Sequence, residues 1–301
     1  MTSLDDLVGS GLVREDVLLG PYTTYKSGGP ARYFVEVPDP KAVGELAGSG
    51  IMSDLPVLVL GRGSNLVVSD SGFRGLVIRL GPVFGAVEVD GTVVRAGGSA
   101  PLAQVARLSV DAGLTGLEFF IGVPGSVGGA VRQNAGCFGT ETRDRLIEAT
   151  IVDLRDGKVI RAGPDQLEMS YRHSSVESTQ VVTGAAFQAA PGNVEAGRAE
   201  LRRITRWRRD NQPGGTFNAG SVFKNPPGAT AGEIIDSLGL KGMRVGDVAV
   251  SDKHANFFVA GTGATSEDIR RLVLAVKDRV FEETGTILEP EIQFVGFEDE
   301  H

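Results

Sequence analysis

One serine stands in an unusual setting, within the run AGSVFKNPPG at residues 219–228. Glycine precedes Ser221, an aromatic residue, a lysine and an asparagine follow it, and two prolines end the run. A serine nucleophile needs a neighbouring base, and the run lacks the G-x-S-x-G pattern of a nucleophile elbow. Ser221 is therefore either a turn residue or a group whose chemical role is not nucleophilic attack.

Two glycine-rich segments could bind an anionic ligand through their backbone. The first, GRGSNLVVSDSG at 61–72, follows an apolar run, and consecutive N–H groups in such a turn can form an anion-binding nest. It matches neither G-x-G-x-x-G nor a Walker loop, so a tight turn after a strand is the alternative. The second, IGVPGSVGGAVRQNAGCFG at 121–139, holds six glycines, which destabilise a chain unless the backbone approaches something closely. Together the segments favour a large ligand whose diphosphate lies between them.

Charged side chains offer two further candidates. Glu289 and Glu291 are two residues apart, so on a strand they would face the same side. One of them acting as a single catalytic acid is more natural than a glycosidase pair. Arg202, Arg206 and Arg209 have the spacing of one helix face. That face is either solvated or binds an anionic substrate.

The cysteine and histidine content argues against metal chemistry. Cys137 is the single cysteine, so an internal disulfide and a cysteine-based metal site are excluded, and we expect a small buried residue there. His173, His254 and His301 are the three histidines, and none is paired at the spacing of metal ligands. We therefore expect no metal site.

Composition indicates a globular protein of 301 residues, long enough for two or three cores. A net charge of −8 argues weakly against a general nucleic-acid-binding role, and no run of eighteen apolar residues could span a bilayer. The acidic first residues, MTSLDDLVGSGLVRED, do not resemble a secretory signal. We therefore expect a cytoplasmic protein.

Hydrophobic patterns place these segments among mixed helices and strands. Apolar runs at 57–61 and 76–81 predict buried strands, and alternating arms around Asp-Gly pairs predict hairpins at 86–97 and 149–162. The last run, 286–296, predicts an edge strand because it contains a proline. Without regular alternation of strands and helices, the fold class is α+β.

Three helices are predicted with their boundaries. Residues 99–113 read as a helix capped by Ser99, with Pro101 in its first turn. The pattern predicts an arginine-rich helix from 194 to 210. It also predicts a domain boundary near residues 205–215. Residues 264–285 predict a helix capped by Thr265. Its buried stripe consists of Ile269, Leu272, Val273, Val276 and Val280.

Six segments, taken together and in order, resemble one known family over nearly the whole chain. They are TTYKSGGPARYF (23–34), LGRGSNLVVSDSGFRGLVI (60–78), GLEFFIGVPGSVGGAVRQNAGCFG (116–139), YRHSS (171–175), GSVFKNP (220–226) and LEPEIQFVG (288–296). In this register they are similar to the UDP-N-acetylenolpyruvoylglucosamine reductase (MurB) family. The shorter branch fits better, because no insertion has the length of the tyrosine loop found in the longer branch.

The resemblance implies an FAD-binding fold of the vanillyl-alcohol-oxidase (PCMH) type in two subdomains, followed by a C-terminal α+β substrate-binding domain. The implied ranges are 1–80 and 81–205 for the two FAD-binding subdomains and 206–301 for the substrate-binding domain. FAD would be held non-covalently. The family's FAD-binding segments correspond here to Gly61, Arg62, Gly63, Ser64, Asn65, Gly122, Pro124, Gly125, Ser126, Gly128, Gly129 and Asn134.

The resemblance also implies a reaction in two halves: NADPH reduces FAD, and the flavin N5 then passes a hydride to the vinyl carbon of UDP-N-acetylglucosamine enolpyruvate. By motif position, Ser221 donates the proton that completes UDP-N-acetylmuramate, Arg172 holds the substrate carboxylate, and Glu291 assists. The implied substrate contacts are Tyr171, Lys224, Asn225 and His254. The implied setting is peptidoglycan precursor synthesis, which serves cell wall biogenesis, cell shape, the cell cycle and cell division.

Three alternatives stay open at this point: an FAD-linked oxidoreductase acting on another substrate, a nucleotide-binding regulatory module without turnover, and a nucleic-acid-binding protein. The GSVFKNP and LEPE segments discriminate against the first, because the family uses them for substrate chemistry. The combination of Arg172, Ser221 and Glu291 argues against the second, and the acidic total charge against the third. We further expect a monomer that binds neither nucleic acid nor membrane.

Overall fold

The computed structural model describes residues 4–48 and 55–297, and these residues fold into two compact units. The first unit contains the described residues of Met1–Asp16, Tyr33–Arg62 and Arg74–Trp207. The second contains those of Val17–Arg32, Gly63–Phe73 and Arg208–His301. The chain therefore passes between the units several times, and the division into three consecutive ranges stays a prediction.

Helices and strands alternate irregularly along the described chain. The helices are α1 Leu4–Gly9, α2 Pro40–Gly48, α3 Leu102–Asp111, α4 Val127–Gln133, α5 Val194–Asn211, α6 Ala231–Ser237 and α7 Ser266–Thr284. The strands are β1 Val13–Leu18, β2 Pro30–Val37, β3 Val57–Val59, β4 Leu66–Val68, β5 Phe73–Leu80, β6 Val87–Asp90, β7 Val93–Gly97, β8 Leu114–Thr115, β9 Gly136–Cys137, β10 Thr140–Glu141, β11 Leu146–Asp153, β12 Val159–Ala162, β13 Gln180–Gln188, β14 Ala190–Pro191, β15 Arg244–Val245, β16 Val248–Val250, β17 Phe258–Ala260 and β18 Gln293–Val295. Within residues 4–48 and 55–297, no helix is both long and apolar enough to cross a membrane.

The first unit is built on two sheets. One has the strand order β1-β2-β5-β3, with β3 parallel to β5, and most of its residues lie in this unit. The other is antiparallel and has the order β12-β11-β13-β7-β6. Both predicted hairpins, β6–β7 and β11–β12, are confirmed. Gly91 and Gly157 adopt positive φ in their turns, a conformation that glycine reaches without steric cost.

One predicted helix cap in the first unit is wrong. Helix α3 begins at Leu102 after an extended Pro101, and no side chain caps it. Ser99, the predicted cap, instead donates its hydroxyl hydrogen to the Gly81 carbonyl, 3.1 Å away. A serine competes for backbone partners wherever they lie, and here the partner belongs to a residue distant in sequence.

The second unit packs around α7. The predicted stripe of α7 is buried, and Thr265 forms a capping box with Asp268, so this helix is confirmed. Helix α7 shares its core with the antiparallel sheet β15-β16-β17. The Asp70 carboxylate accepts hydrogen bonds from the first α7 backbone groups, Ser266 N at 2.9 Å and Glu267 N at 3.0 Å. This contact ties the end of the first glycine-rich segment to the helix.

The predicted edge strand over 286–296 is wrong in extent. Only Gln293–Val295 forms a strand, which pairs in parallel with β4. The residues before it pair with the run that contains Ser221: Lys224 N donates to Glu289 O at 2.9 Å, and Glu291 N donates to Val222 O at 2.7 Å. Pro290 lies opposite Phe223 in the non-hydrogen-bonded position of this antiparallel bridge, where the pairing needs no N–H group from the proline.

Candidate functional site

A cleft in the first unit encloses about 680 Å³, counted to its open mouth. Of the predicted cofactor contacts, five line it. The lining residues are Val59, Leu60, Gly61, Arg62, Arg79, Leu80, Gly98, Ser99, Ser126, Gly128, Gly129, Arg132, Val176, Gln180 and Val182.

The two glycine-rich segments meet in this cleft. A Cβ atom added to Gly61 would lie 2.7 Å from the Ser126 Oγ, so a larger residue at 61 would force the Ser126 side chain to move. Ser126 itself is buried, and helix α4 begins immediately after it. The structure therefore brings the two segments together as binding of one ligand requires. That the ligand is a cofactor stays a prediction at this point.

Backbone atoms form much of the cleft wall. Gly128 N donates to Gly98 O at 2.8 Å, and Gly98 N donates to Thr183 O at 2.8 Å. A Cβ atom on Gly98 would lie 2.0 Å from the Val182 carbonyl oxygen. Packing against Val182 therefore requires glycine at this position of the cleft wall.

Arg132 is a cleft residue that sequence reasoning missed. Its Nη1 donates to the Val176 carbonyl at 2.6 Å, and burial lowers the pKa of its guanidinium. Arg79 also lines the cleft and pairs with Glu36 at 2.8 Å. Arg132 lies within the second glycine-rich segment and could have been singled out as its one cation. No local sequence pattern singles out Arg79 as a ligand-binding residue.

Four predicted cofactor contacts of the second segment are absent from the lining of this cleft: Gly122, Pro124, Gly125 and Asn134. Gly122 makes room for Cys137, because a Cβ there would lie 2.7 Å from the cysteine Sγ. The half-buried Cys137 donates to the Phe119 carbonyl at 3.1 Å. Gly125 O accepts a bond from Leu102 N at 3.2 Å. Their role toward a cofactor stays a prediction.

Gly63, Ser64 and Asn65 belong to the second unit. A Cβ on Gly63 would lie 2.3 Å from the Tyr22 carbonyl oxygen, so packing alone requires glycine there. Asn65 Nδ2 donates to the Glu291 carbonyl at 3.0 Å, and Asn65 O accepts from Gln293 N at 2.9 Å. Asn65 therefore anchors the LEPE segment, a role that local pattern did not indicate.

Arg172 lies in a tight turn of the first unit. Ser170 and His173 exchange backbone hydrogen bonds at 3.1 and 3.0 Å, which places Tyr171 and Arg172 between them. Arg172 has φ of +55°, a conformation that costs a side-chain-bearing residue about 1 kcal/mol or more. Its guanidinium lies over the Tyr171 ring, 4.9 Å from the centroid, and donates to Gly136 O at 3.2 Å and to Glu141 Oε1 at 3.4 Å.

Ser221 lies in the second unit on a rigidly held backbone. It is half-buried and follows Gly220, whose φ is +77°. The buried Asn256 clamps the next two residues: its carbonyl accepts from Val222 N at 2.9 Å, its Oδ1 accepts from Phe223 N at 2.9 Å, and its Nδ2 donates to Phe223 O at 2.8 Å. Sequence reasoning missed this clamp, because the partners are 33 residues apart.

Replacing Asn256 by alanine should destabilise the protein by about 3 kcal/mol, because it leaves the buried N–H and C=O of Phe223 without partners. Urea unfolding measures this loss. The matched control is Asn218→Ala, a half-buried asparagine of the same unit. We expect a clearly smaller loss there, and equal losses at both positions would contradict the clamp.

The two glutamates of LEPE have different surroundings. Glu289 is exposed and its Oε1 pairs with the Lys224 ammonium at 2.6 Å. Glu291 is half-buried, and its N–H bonds to Val222, the neighbour of Ser221. The structure thus brings the Ser221 and Glu291 segments together within the second unit. Lys224 already balances a carboxylate, which weakens the positive potential that it can offer to a ligand.

Asn225 and His254, two predicted substrate contacts, also lie in the second unit. Asn225 is exposed, and its Oδ1 accepts from the α6 residue Ala231 N at 3.0 Å. Burial, and next the charge of Lys241, lower the pKa of His254, so its imidazole is neutral near pH 7. Its Nδ1 accepts from Asn256 N at 3.2 Å, which leaves the proton on Nε2.

The remaining predicted features lie neither in the cleft of the first unit nor in the Ser221 and Glu291 segments of the second. Arg202, Arg206 and Arg209 are exposed on α5. Among the described residues, no group of three or more histidine, cysteine, aspartate or glutamate side chains could hold a metal ion, and His301 lies outside those residues.

Two family profiles match different parts of the chain. Residues 33–163 match an FAD binding domain, and residues 212–295 match the C-terminal domain of UDP-N-acetylenolpyruvoylglucosamine reductase. The cleft with Gly61 and Ser126 is made largely from the first match. Ser221 and Glu291 both lie in the second.

Relatives that match nearly the whole chain are also UDP-N-acetylenolpyruvoylglucosamine reductases. The UDP-N-acetylenolpyruvoylglucosamine reductase of Erythrobacter litoralis is 42% identical over 95% of this chain and 88% of its own length. That of Azorhizobium caulinodans is 40% identical over 95% of this chain and 92% of its own length.

Solved structures agree with this result. The crystal structure of the reductase (MurB) from Thermus caldophilus has 35% identity and a TM-score of 0.81, covering 94% of this chain and 99% of that one. A variant of Phl p 4, a glucose oxidase, has a TM-score of 0.52 at 16% identity, covering 94% of this chain and 58% of that one. The predicted α+β fold of the FAD-binding, vanillyl-alcohol-oxidase type is confirmed. The chain belongs to the UDP-N-acetylenolpyruvoylglucosamine reductase family of FAD-dependent oxidoreductases.

Proposed function

We propose that this protein catalyses the NADPH-dependent reduction of UDP-N-acetylglucosamine enolpyruvate to UDP-N-acetylmuramate, with FAD as a non-covalent cofactor. The observation that carries the proposal is the backbone pairing of the Ser221 and Glu291 segments inside the region that matches the reductase C-terminal domain. An FAD-linked oxidoreductase with another substrate would share the cleft but would not need this pairing.

The cleft of the first unit suits FAD in its chemistry. Gly61, Gly98 and Gly128 line the cleft with peptide groups that no side chain covers, and the buried hydroxyl of Ser126 offers a polar contact. Arg132 supplies positive charge toward an anionic group. When bound, FAD would take a hydride from NADPH and deliver one from its N5 to the terminal vinyl carbon of the substrate.

The chain's own residues handle the charge and the proton. Hydride addition to the vinyl carbon leaves negative charge on the adjacent carbon and in the carboxylate, so a cation at the carboxylate stabilises the transition state. We assign that cation to Arg172. Ser221 donates its hydroxyl proton to the adjacent carbon, and Glu291 assists this transfer. Tyr171, Lys224, Asn225 and the neutral His254 bind the rest of the substrate.

The proposed setting follows from the reaction. UDP-N-acetylmuramate is a peptidoglycan precursor, so the protein would act in cell wall synthesis and thereby in cell shape and division. We propose that it acts in the cytoplasm as a monomer and needs no nucleic acid, membrane or metal for this reaction.

Following the flavin absorbance through both half-reactions tests the proposal. We expect the purified protein to be yellow, to lose its colour when NADPH is added without oxygen, and to regain it when UDP-N-acetylglucosamine enolpyruvate follows. NADH in place of NADPH gives the preference for the reductant. A protein that takes up no FAD would contradict the proposal. Bleaching that the enolpyruvyl substrate does not reverse would favour an oxidoreductase with another substrate.

A further inference from the structure

A network of three side chains in the first unit leads from the end of α4 to Arg172. Asn134 follows α4 directly, is completely buried and has φ of +42°. Glu141 lies in β10 and accepts bonds from both Asn134 and Arg172. Neither Asn134 nor Glu141 lines the cleft, although Asn134 lies in the second glycine-rich segment. The network therefore needs an explanation other than direct contact with a ligand in the cleft.

Every polar atom of the Asn134 carboxamide has a partner in the protein. Its Nδ2 donates to Glu141 Oε2 and to Ser170 O, both at 2.8 Å, and its Oδ1 accepts from Arg143 N at 2.9 Å. Two acceptors and one donor surround the amide, so its orientation is unambiguous. Asn134 thus joins the Glu141 carboxylate to the backbone of the turn that carries Arg172.

The Glu141 carboxylate connects this amide to the guanidinium. Its Oε2 faces Asn134, and its Oε1 lies 3.4 Å from Arg172 Nη1. The Gly136 carbonyl accepts from Arg172 Nη2, and the Tyr171 ring lies against the guanidinium carbon. A side chain with four rotatable bonds and a strained backbone holds one orientation only when several partners share the task.

We propose that Glu141 and Asn134 are positioning residues for Arg172, which they hold in the orientation that receives the substrate carboxylate. The proposal rests on the function proposed above, because it takes Arg172 as the carboxylate ligand. Asn134 fixes both the carboxylate that orients the guanidinium and the turn from which Arg172 extends. Neither residue needs to touch substrate or flavin.

Glu141→Gln is the sharpest variant, because glutamine has nearly the same shape but only one acceptor oxygen. That oxygen can serve Asn134 or Arg172, while the new NH2 group faces the other donor and repels it. The Glu141 and Arg172 side chains are 26% and 18% exposed, and glutamine can keep its acceptor oxygen on the buried Asn134 amide, so the loss of stability should be modest. The orientation of Arg172 should change much more.

We expect Glu141→Gln to raise KM for the enolpyruvyl substrate by about tenfold, the effect of losing roughly one charge-assisted hydrogen bond. FAD affinity and the rate of flavin reduction by NADPH should stay close to those of the unchanged protein, and the melting temperature should fall only modestly. Glu200→Gln, which removes a glutamate paired with Arg203 on the exposed face of α5, is the matched control and should leave KM unchanged. An unchanged or lower KM in Glu141→Gln would overturn the proposal, since simple removal of negative charge beside Arg172 would strengthen carboxylate binding.

A double-mutant cycle separates this proposal from the proposed function. If Glu141 acts through Arg172, adding Glu141→Gln to Arg172→Lys should produce almost no further rise in KM. Additive effects would overturn the positioning role. If Arg172→Lys alone leaves the reoxidation of flavin by substrate unchanged, the assignment of Arg172 as carboxylate ligand fails instead.

Discussion

Replacing Ser221 by alanine should slow the reoxidation of reduced flavin by the enolpyruvyl substrate by about 10² to 10⁴-fold, the usual contribution of a positioned proton donor. Reduction of the flavin by NADPH should stay nearly unchanged, because that half-reaction requires no proton from Ser221. Stopped-flow absorbance of the flavin under anaerobic conditions measures the two half-reactions separately.

The structure makes this substitution a clean one. Alanine removes only the hydroxyl group, and the backbone around it stays bound through Val222, Phe223 and Asn256. Ser237→Ala on α6 is the matched control, since that hydroxyl only donates to the Ile234 carbonyl within its own helix. It should leave both half-reactions unchanged. Equal losses in both half-reactions of Ser221→Ala would mean that Ser221 is a structural residue.

Replacing Gly129 by valine should weaken FAD binding by about 100-fold or more, because overfilling a site costs about 3 kcal/mol. Gly129 lines the cleft in the first turn of α4, and a Cβ atom there meets only the Ser126 Oγ, at 3.7 Å. The valine methyl groups would therefore occupy cleft volume without displacing the protein's own backbone. Titration of FAD into the apoprotein, followed by flavin fluorescence, measures the change.

Gly44→Val controls for the effect of valine on a helix. Gly44 lies in α2 of the same unit, is exposed, and a Cβ atom there would meet nothing within 4 Å. Valine has a somewhat higher helix propensity than glycine, so neither variant should lose stability on that account. Only Gly129→Val should lose FAD. Full FAD affinity in Gly129→Val, or the same loss in Gly44→Val, would show that the cleft does not bind the cofactor.

Elements whose determinants lie close together in sequence were predictable. The β6–β7 hairpin follows from two alternating arms around Asp90-Gly91, and α7 follows from the Thr265 capping box and an apolar stripe of helical period. The cap of α3 and the extent of the last strand were not, because Ser99 bonds to Gly81 and Glu291 bonds to Val222. In both cases a partner from elsewhere in the chain outweighed the local preference.

The residues of the candidate site also fall into two groups, those that the sequence could predict and those that it could not. The sequence alone identified the glycine-rich segments, Ser221, Arg172 and Glu291, because the family motifs that contain them are continuous in the chain. Tertiary structure alone revealed their support: Asn256 behind Ser221, Asn65 behind Glu291, and the amide and carboxylate behind Arg172. The family motifs contain the side chains that take part in the reaction itself. The supporting residues can come from any chain segment that places a hydrogen-bonding partner beside a buried donor or acceptor. Which segment does so is decided only when the protein folds.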